Sequence, residues 1–191
     1  IVHEKIYDAF VERFVSEMDK LSVGPALDPT TQIGPVVSDT QLKSNLSYVE
    51  IARNEGCEVV SGQHLAERNT GYFQRPGVFL NANNKMRSSR EEIFGPVASI
   101  IKVDDFEEAV ATANDTEFGL SSAICTRSLY YAREFKRLSE AGMAMVNLPT
   151  AGVDYHVPFG GRKNSSYGSR EQGRAAIDFY TTTKTTYSFA G

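Results

Sequence analysis

Between residues 97 and 147 the chain switches repeatedly between two apolar patterns, and that switching limits what it can fold into. Residues 97–103, 121–125 and 144–147 are short apolar runs of the kind found in buried strands. Residues 106–113 and 128–139 repeat their apolar positions at helical spacing. Phe106, Ala109, Val110 and Ala113 make one stripe, and Leu129, Ala132, Phe135 and Leu138 make the other. Strand, helix, strand, helix, strand in this order predicts a parallel sheet covered by its own crossover helices. The expected fold class is therefore α/β, a parallel open sheet with covering helices, and sandwiches and helical bundles are excluded.

Two more helices are expected upstream. Over 4–21 the residues Ile6, Phe10, Val11, Phe14, Val15, Met18 and Leu21 recur at helical spacing between charged positions. Gly24-Pro25 ends that helix, and Asp28-Pro29-Thr30-Thr31 is turn chemistry. A second helix is predicted over 38–54, capped by Ser38 and Asp39 and closed by Gly56. Strands are predicted at 58–62, 72–74 and 77–80, with a marginal piece at 85–86. At 191 residues and 41% hydrophobic, the chain can bury one sizeable core. Its net charge is −4 and its Lys and Arg are scattered, which argues against nucleic acid as a partner. No apolar run approaches the roughly 18 residues of a membrane span, and the first residues lack a secretory pattern; no membrane partner and a cytoplasmic location are expected. Cys57 and Cys125 form no CxxC and fall in segments that read as strands, so both are expected as reduced, buried thiols. No metal site is expected. The chain opens at Ile1 already in register for structure, and it reads as a piece of a longer protein.

The segment Glu91-Glu92-Ile93-Phe94-Gly95-Pro96-Val97 places an acid and an aromatic at the entrance of the strand that begins at Val97. Gly95 opens backbone conformations closed to other residues and Pro96 fixes its own φ. A carboxylate held there can accept hydrogen bonds from a vicinal diol such as a ribose. A solvated acid capping a turn, with Phe94 in the core, fits the same residues.

Near the C-terminus, Val157-Pro158-Phe159-Gly160-Gly161-Arg162-Lys163 places Phe159 on an irregular loop. Gly160-Gly161 is not accompanied by any GxGxxG or GxxxxGKS pattern, so a phosphate loop is disfavoured. Residues 179–189 are rich in β-branched and aromatic side chains and are predicted as a long strand. It has no hairpin partner in the sequence, and the edge of another subunit's sheet is its natural outlet.

Four of these segments carry a family resemblance. Glu91 to Val97 resembles the Glu-Ile-Phe-Gly-Pro motif of NAD(P)-dependent aldehyde dehydrogenases. Asn114-Asp115 to Phe118-Gly119-Leu120-Ser121 resembles their Asn-x-x-x-Phe-Gly-Leu segment, and Pro158 to Gly161 with Arg170-Glu171-x-Gly173 resembles their C-terminal signature. The resemblance runs along essentially the whole chain and implies the C-terminal part of such an enzyme. It divides the chain into a catalytic α/β domain over 1–155, truncated at its N-terminus, an active-site loop and short helix over 156–176, and a C-terminal oligomerisation strand over 177–191. The helix beginning at Glu4 follows the family's nucleophilic cysteine, which implies that the chain starts just downstream of it.

The resemblance also implies roles. Glu92 matches the glutamate that binds the nicotinamide ribose, Phe94 the aromatic beside the nicotinamide, and Gln41 a glutamine that contacts the cofactor, NAD or NADP. Asn147 and Phe159 match residues near the aldehyde channel, with 148–156 as the loop that selects substrates. Glu171 matches a secondary proton-relay or structural glutamate, for which an ion pair with a neighbouring Arg or Lys is the plain alternative. The family attacks its aldehyde with a cysteine thiolate and hydrolyses the thioester with water activated by a glutamate. Neither residue has a counterpart here, so the chain alone is expected to be inactive. The run from Val146 to His156 resembles a branch that oxidises 2-oxoglutarate semialdehyde (2,5-dioxopentanoate), an anionic substrate for which Arg162 and His156 are the candidate cations. Both could equally face solvent. A homo-oligomer, dimer or tetramer, through the C-terminal strand is implied. Where Lys-x-Ser-Gly-x-Gly-Arg-Glu is usual, this chain has Lys163-Asn164-Ser165-Ser166-Tyr167-Gly168-Ser169-Arg170-Glu171, one residue longer. A CoA-acylating or phosphorylated-intermediate relative, or a non-catalytic subunit, fits the same features.

Overall fold

Five of the six residues of β3 (Gly77–Ala82) are buried, and this strand lies inside a four-stranded sheet. The computed structural model describes residues 1–65 and 71–191. The sheet runs β1 (Val2–His3), β4 (Val97–Val103), β3, β2 (Glu58–Ser61). β1 and β3 both pair parallel with β4, and β2 pairs antiparallel with β3. Side chains alternate across β3, so each face needs its own helix. Val78 and Leu80 join Ile100, Val2, Tyr7 and Met18 beneath α1 (Glu4–Asp19). Phe79 points the other way, into a cluster with Val49 and Ala52 of α2 (Asp39–Asn54) and with Cys57. The register shifts between Phe79 and Ala82, where Asn81 has φ 57°, and this brings Ala82 back to the α2 side. Ser38 caps α2 by accepting a hydrogen bond from the Gln41 amide at 3.1 Å.

The chain divides into two compact units, Ile1–Thr112 and Ala113–Gly191, and the division falls within α4 (Phe106–Asn114). In the second unit β5 (Ser121–Ile124), α5 (Leu129–Leu138) and β6 (Met143–Val146) form a βαβ turn, with β5 and β6 parallel in the register Ser121 with Met143 through Ile124 with Val146. Ser128 caps α5.

The α/β class expected from the sequence is found, with four departures from the parallel open sheet. The strands form two sheets rather than one, and β2 runs antiparallel. Residues 72–74 form no strand, only a bridge between His64 and Gln74. A one-turn helix, α3 (Arg87–Arg90), follows the place where a marginal strand piece was expected at 85–86. Glu55 creates it by accepting from the Arg87 and Ser88 amides and from the Ser88 hydroxyl. Finally, 177–191 is not a strand: α6 (Ala175–Tyr180) takes its first residues, and 181–191 pairs with nothing among the described residues. A β-branched run becomes a strand only when a ladder partner is present, and the described residues supply none. Of the two thiols, Cys57 is buried as expected, but Cys125 is exposed, one residue past the end of β5.

Candidate cofactor and substrate sites

The Glu91–Val97 turn sits on α2. A Cβ added to Gly95 would lie 2.7 Å from Asn45 Cγ, so the turn approaches the helix as closely as only glycine allows. The preceding residue, Phe94, adopts φ 55°, a left-handed conformation that costs a non-glycine residue about 1–2 kcal/mol. Phe94 is 76% exposed, against the alternative expectation of a core residue. Gln41 Nε2 donates to Ile93 O at 3.0 Å and lies 2.7 Å from the Asn45 amide. Asn45 in turn lies 3.0 Å from Gln74 Oε1, and Gln74 Nε2 donates to Gly62 O at 2.9 Å. Asn45 and Gln74 are at most 1% exposed. The side chain of Gln41 is thus directed at the turn itself.

The two adjacent acids have different surroundings. Glu91 accepts two hydrogen bonds from the Arg87 guanidinium, at 2.8 and 2.9 Å, and one from the Tyr48 hydroxyl at 2.6 Å. Arg87 first, then Tyr48, hold the Glu91 carboxyl down at about 2. Glu92 is exposed, and its carboxylate has no partner among the described residues. The cavity beside the turn, about 310 Å³, is lined by Phe79, Ser88, Ser89, Ile93, Phe94 and Gly95 among others. The Ser89 hydroxyl there is buried and has no hydrogen-bond partner among the described residues.

An acid-stability experiment follows from Glu91. Its carboxyl is depressed in the folded chain, so the stabilisation is fully present above the ordinary carboxylate value of 4.5 and is lost as pH falls toward 2. Arg87→Met is therefore expected to lower the melting temperature modestly at pH 7, the ion pair being exposed, and the gap from the parent should close between pH 4.5 and 2. A gap independent of pH would show that Glu91 draws nothing from Arg87.

The remaining predicted site residues lie in the second unit. Asn147 adopts φ 55° just beyond β6, and its side-chain amide makes paired bonds to Thr126, accepting from N and donating to O, each at 2.8 Å. Phe159 is half-buried and exchanges backbone hydrogen bonds with Glu171 at 2.7 and 2.9 Å, which brings the two candidate residues together. Glu171 is in none of the ion pairs among the described residues. Arg170 donates to Gly161 O, and Gly173 N donates to Tyr155 O at 3.2 Å, so the extended 163–171 segment is tied down at its end. Arg162 and His156 are exposed, with the His156 ring edge-on to Tyr155. A cavity of about 440 Å³ is lined by Met143, Met145, Leu148, Val153, Asp154 and Val157 among others. Neither Asn147, His156, Phe159 nor Arg162 lines it, and its one charged lining residue is an acid.

The Phe118-Gly119-Leu120 motif and the Gly160-Gly161 motif meet backbone to backbone. Gly119 O accepts from Gly142 N at 2.8 Å and from Arg162 N at 2.9 Å, and Gly119 N donates to Ser165 Oγ at 2.9 Å. Asn114 adds a second tie, donating to Leu138 O and accepting from Glu140 N.

Asn45, Gln74, Tyr48 and Arg87 were not singled out from the sequence. A signal existed for Asn45. Leu42, Val49 and Ala52 form the buried stripe of α2, and Asn45 is the polar residue at its helical spacing.

The fold, the Glu92–Phe94 turn and the interlocked glycine motifs agree with a match of residues 1–186 to the aldehyde dehydrogenase family. This chain belongs to that family. It is 46% identical over 191 residues to an alpha-ketoglutarate semialdehyde dehydrogenase of Haloferax volcanii, covering 98% of this chain and 39% of that protein. The aldehyde dehydrogenase KauB from Pseudomonas aeruginosa superposes with a TM-score of 0.91 at 38% identity, covering 97% of this chain and 37% of KauB. An indole-3-acetaldehyde dehydrogenase solved with NAD+ gives the same TM-score at 36% identity and the same coverage. The chain therefore spans under two fifths of these relatives, a share in keeping with the part-length reading of the sequence. No helix among the described residues is long and apolar enough to cross a membrane.

Proposed function

We propose that the protein carrying this chain oxidises an aldehyde to a carboxylic acid with NAD or NADP, and that the aldehyde is 2-oxoglutarate semialdehyde. The observation that carries the cofactor reading is the division of labour between the two acids: Glu91 is tied to Arg87 and Tyr48, while Glu92 stays unpartnered beside an exposed Phe94 ring. These residues fit a nicotinamide riboside. The carboxylate accepts from the two ribose hydroxyls, and the ring packs against the planar base. When bound, the nicotinamide accepts the hydride lost by the aldehyde, and water supplies the second oxygen of the acid. The nucleophilic cysteine and the base that activates water belong to the family's preceding residues, so this chain contributes cofactor and substrate groups rather than the attacking atom. The relative from Haloferax volcanii supports the substrate assignment. In the second unit Asn147 and Phe159 are assigned to the aldehyde channel, Arg162 and His156 to the substrate's carboxylate, and Glu171 to a supporting role behind Phe159. The unpaired residues 181–191 are assigned to the sheet of a second subunit, giving a dimer or tetramer, in the cytoplasm.

The test uses purified full-length protein and the 191-residue chain side by side. Full-length protein is expected to convert the semialdehyde, and the chain alone is expected to convert none. Glu92→Gln should raise KM for the dinucleotide roughly tenfold or more while leaving KM for the aldehyde within about twofold, as loss of a contact to one ligand does. Turnover by the chain alone, or equal effects of Glu92→Gln on both constants, would overturn the assignment. A CoA thioester among the products would move the protein to the acylating branch.

A further inference from the structure

We propose that Asn45 and Gln74 are positioning residues for the cofactor: a buried amide pair that keeps Ile93, Phe94 and Gly95 in the one conformation that presents Glu92 and Phe94. The inference rests on the reading of Glu92 and Phe94 as the dinucleotide contacts. Phe94 is left-handed, so the turn relaxes unless it is held on both sides. Asn45 bears on both sides. On the Ile93 side, Gln41 donates to the carbonyl, and the Asn45 amide, 2.7 Å from that of Gln41, reaches the same oxygen at 3.1 Å. On the Gly95 side, Asn45 fills the space that a Cβ would need.

Gln74 fixes Asn45 in turn. Its amide spans from Asn45 to Gly62 O, and the Gly62 backbone packs so tightly on Gly77 that a Cβ on Gly77 would lie 2.7 Å from Gly62 Cα. Gly77 N then donates to Pro96 O at 2.9 Å, which returns to the turn. The chain of contacts closes on itself. For stability alone an apolar pair in this core would serve as well, because a fully buried amide pair gains little over the water it left. What an apolar pair lacks is direction, and direction is what a strained turn requires.

The test is a double-mutant cycle in the full-length protein, with Asn45→Leu, Gln74→Met, the double variant and Glu92→Gln compared with the parent. Each single variant orphans one amide and should lower the melting temperature; the double variant removes both amides and should recover most of it. Two readouts are taken in the double variant. Amide hydrogen exchange over 92–97, without any cofactor, should quicken at least tenfold, since Val97 N donates to Gly95 O within the turn. The dissociation constant for NADH, titrated by its fluorescence, should rise roughly tenfold, because only the fraction of molecules with the turn in place binds. KM for the aldehyde at saturating dinucleotide should stay within about twofold.

Unchanged exchange over 92–97 in the double variant overturns the positioning role. An unchanged NADH constant in the double variant, with Glu92→Gln weakened, overturns the link to the cofactor. An NADH constant unchanged in Glu92→Gln as well means that the reading of Glu92 has failed, and the exchange result alone then decides the role of Asn45 and Gln74. If the double variant does not fold, Gln74→Met alone is held to the same two readouts.

Discussion

Gly142→Ala in the full-length protein is expected to destabilise the second unit by about 3 kcal/mol or more, through overpacking and loss of a backbone hydrogen bond together. The new Cβ would overlap Gly160 O and lie 2.7 Å from Gly161 Cα, and neither is a side-chain end that can swing aside. Moving Gly142 away breaks its bond to Gly119 O, the same oxygen that holds Arg162 N. Chemical denaturation should therefore show a lower midpoint or a separate early transition, and activity should fall with it because Phe159 directly precedes Gly160 at this junction. A change below about 1 kcal/mol would mean that the junction is looser than these contacts require.

Phe79→Ala is expected to cost about 3–5 kcal/mol, the usual range for emptying a large buried aromatic site. Phe79 is fully buried between α2 and the sheet, and it also lines the cavity beside the turn. The loss should therefore appear in stability and in dinucleotide affinity together, whereas Gly142→Ala should reach only the second unit's ligands. Denaturation of both variants beside an NADH titration separates the two. Phe79→Ala with full stability would exclude the cluster around Val49 and Ala52 as a core.

Much of this was legible in the sequence. The strand over 97–103 is found at those bounds, and the helices over 38–54 and 128–139 appear within a residue of them, because each has strong periodicity and a serine cap. Glu92 and Phe94 could be singled out because a glycine and a proline beside an acid and an aromatic mark a rigid, exposed turn. What periodicity could not give was long-range pairing. The antiparallel β2, the bridge at His64 and Gln74, and the α3 turn made by Glu55 all depend on partners many residues distant. The tail is a related case: residues 181–191 have the composition of a strand, but composition carries no partner, and none lies beside them among the described residues. Asn45 and Gln74 were passed over because their roles depend on each other. Each is an ordinary polar residue until the other lies 3.0 Å away.

The pairing of β1 with β4 sets an order of events. Val2 aligns with Lys102 and His3 with Val103, so the first strand finds its neighbour only after roughly a hundred further residues have been made. Until then the apolar side of α1, with Tyr7 and Met18, has no Ile100 to rest on. During synthesis this face of the helix therefore waits several seconds for Ile100 at ordinary elongation rates. The same strand carries the turn at its entrance. Completion of the sheet and formation of the Glu92–Phe94 turn are thus coincident steps, and the candidate ligand groups come into being at the moment the first unit closes.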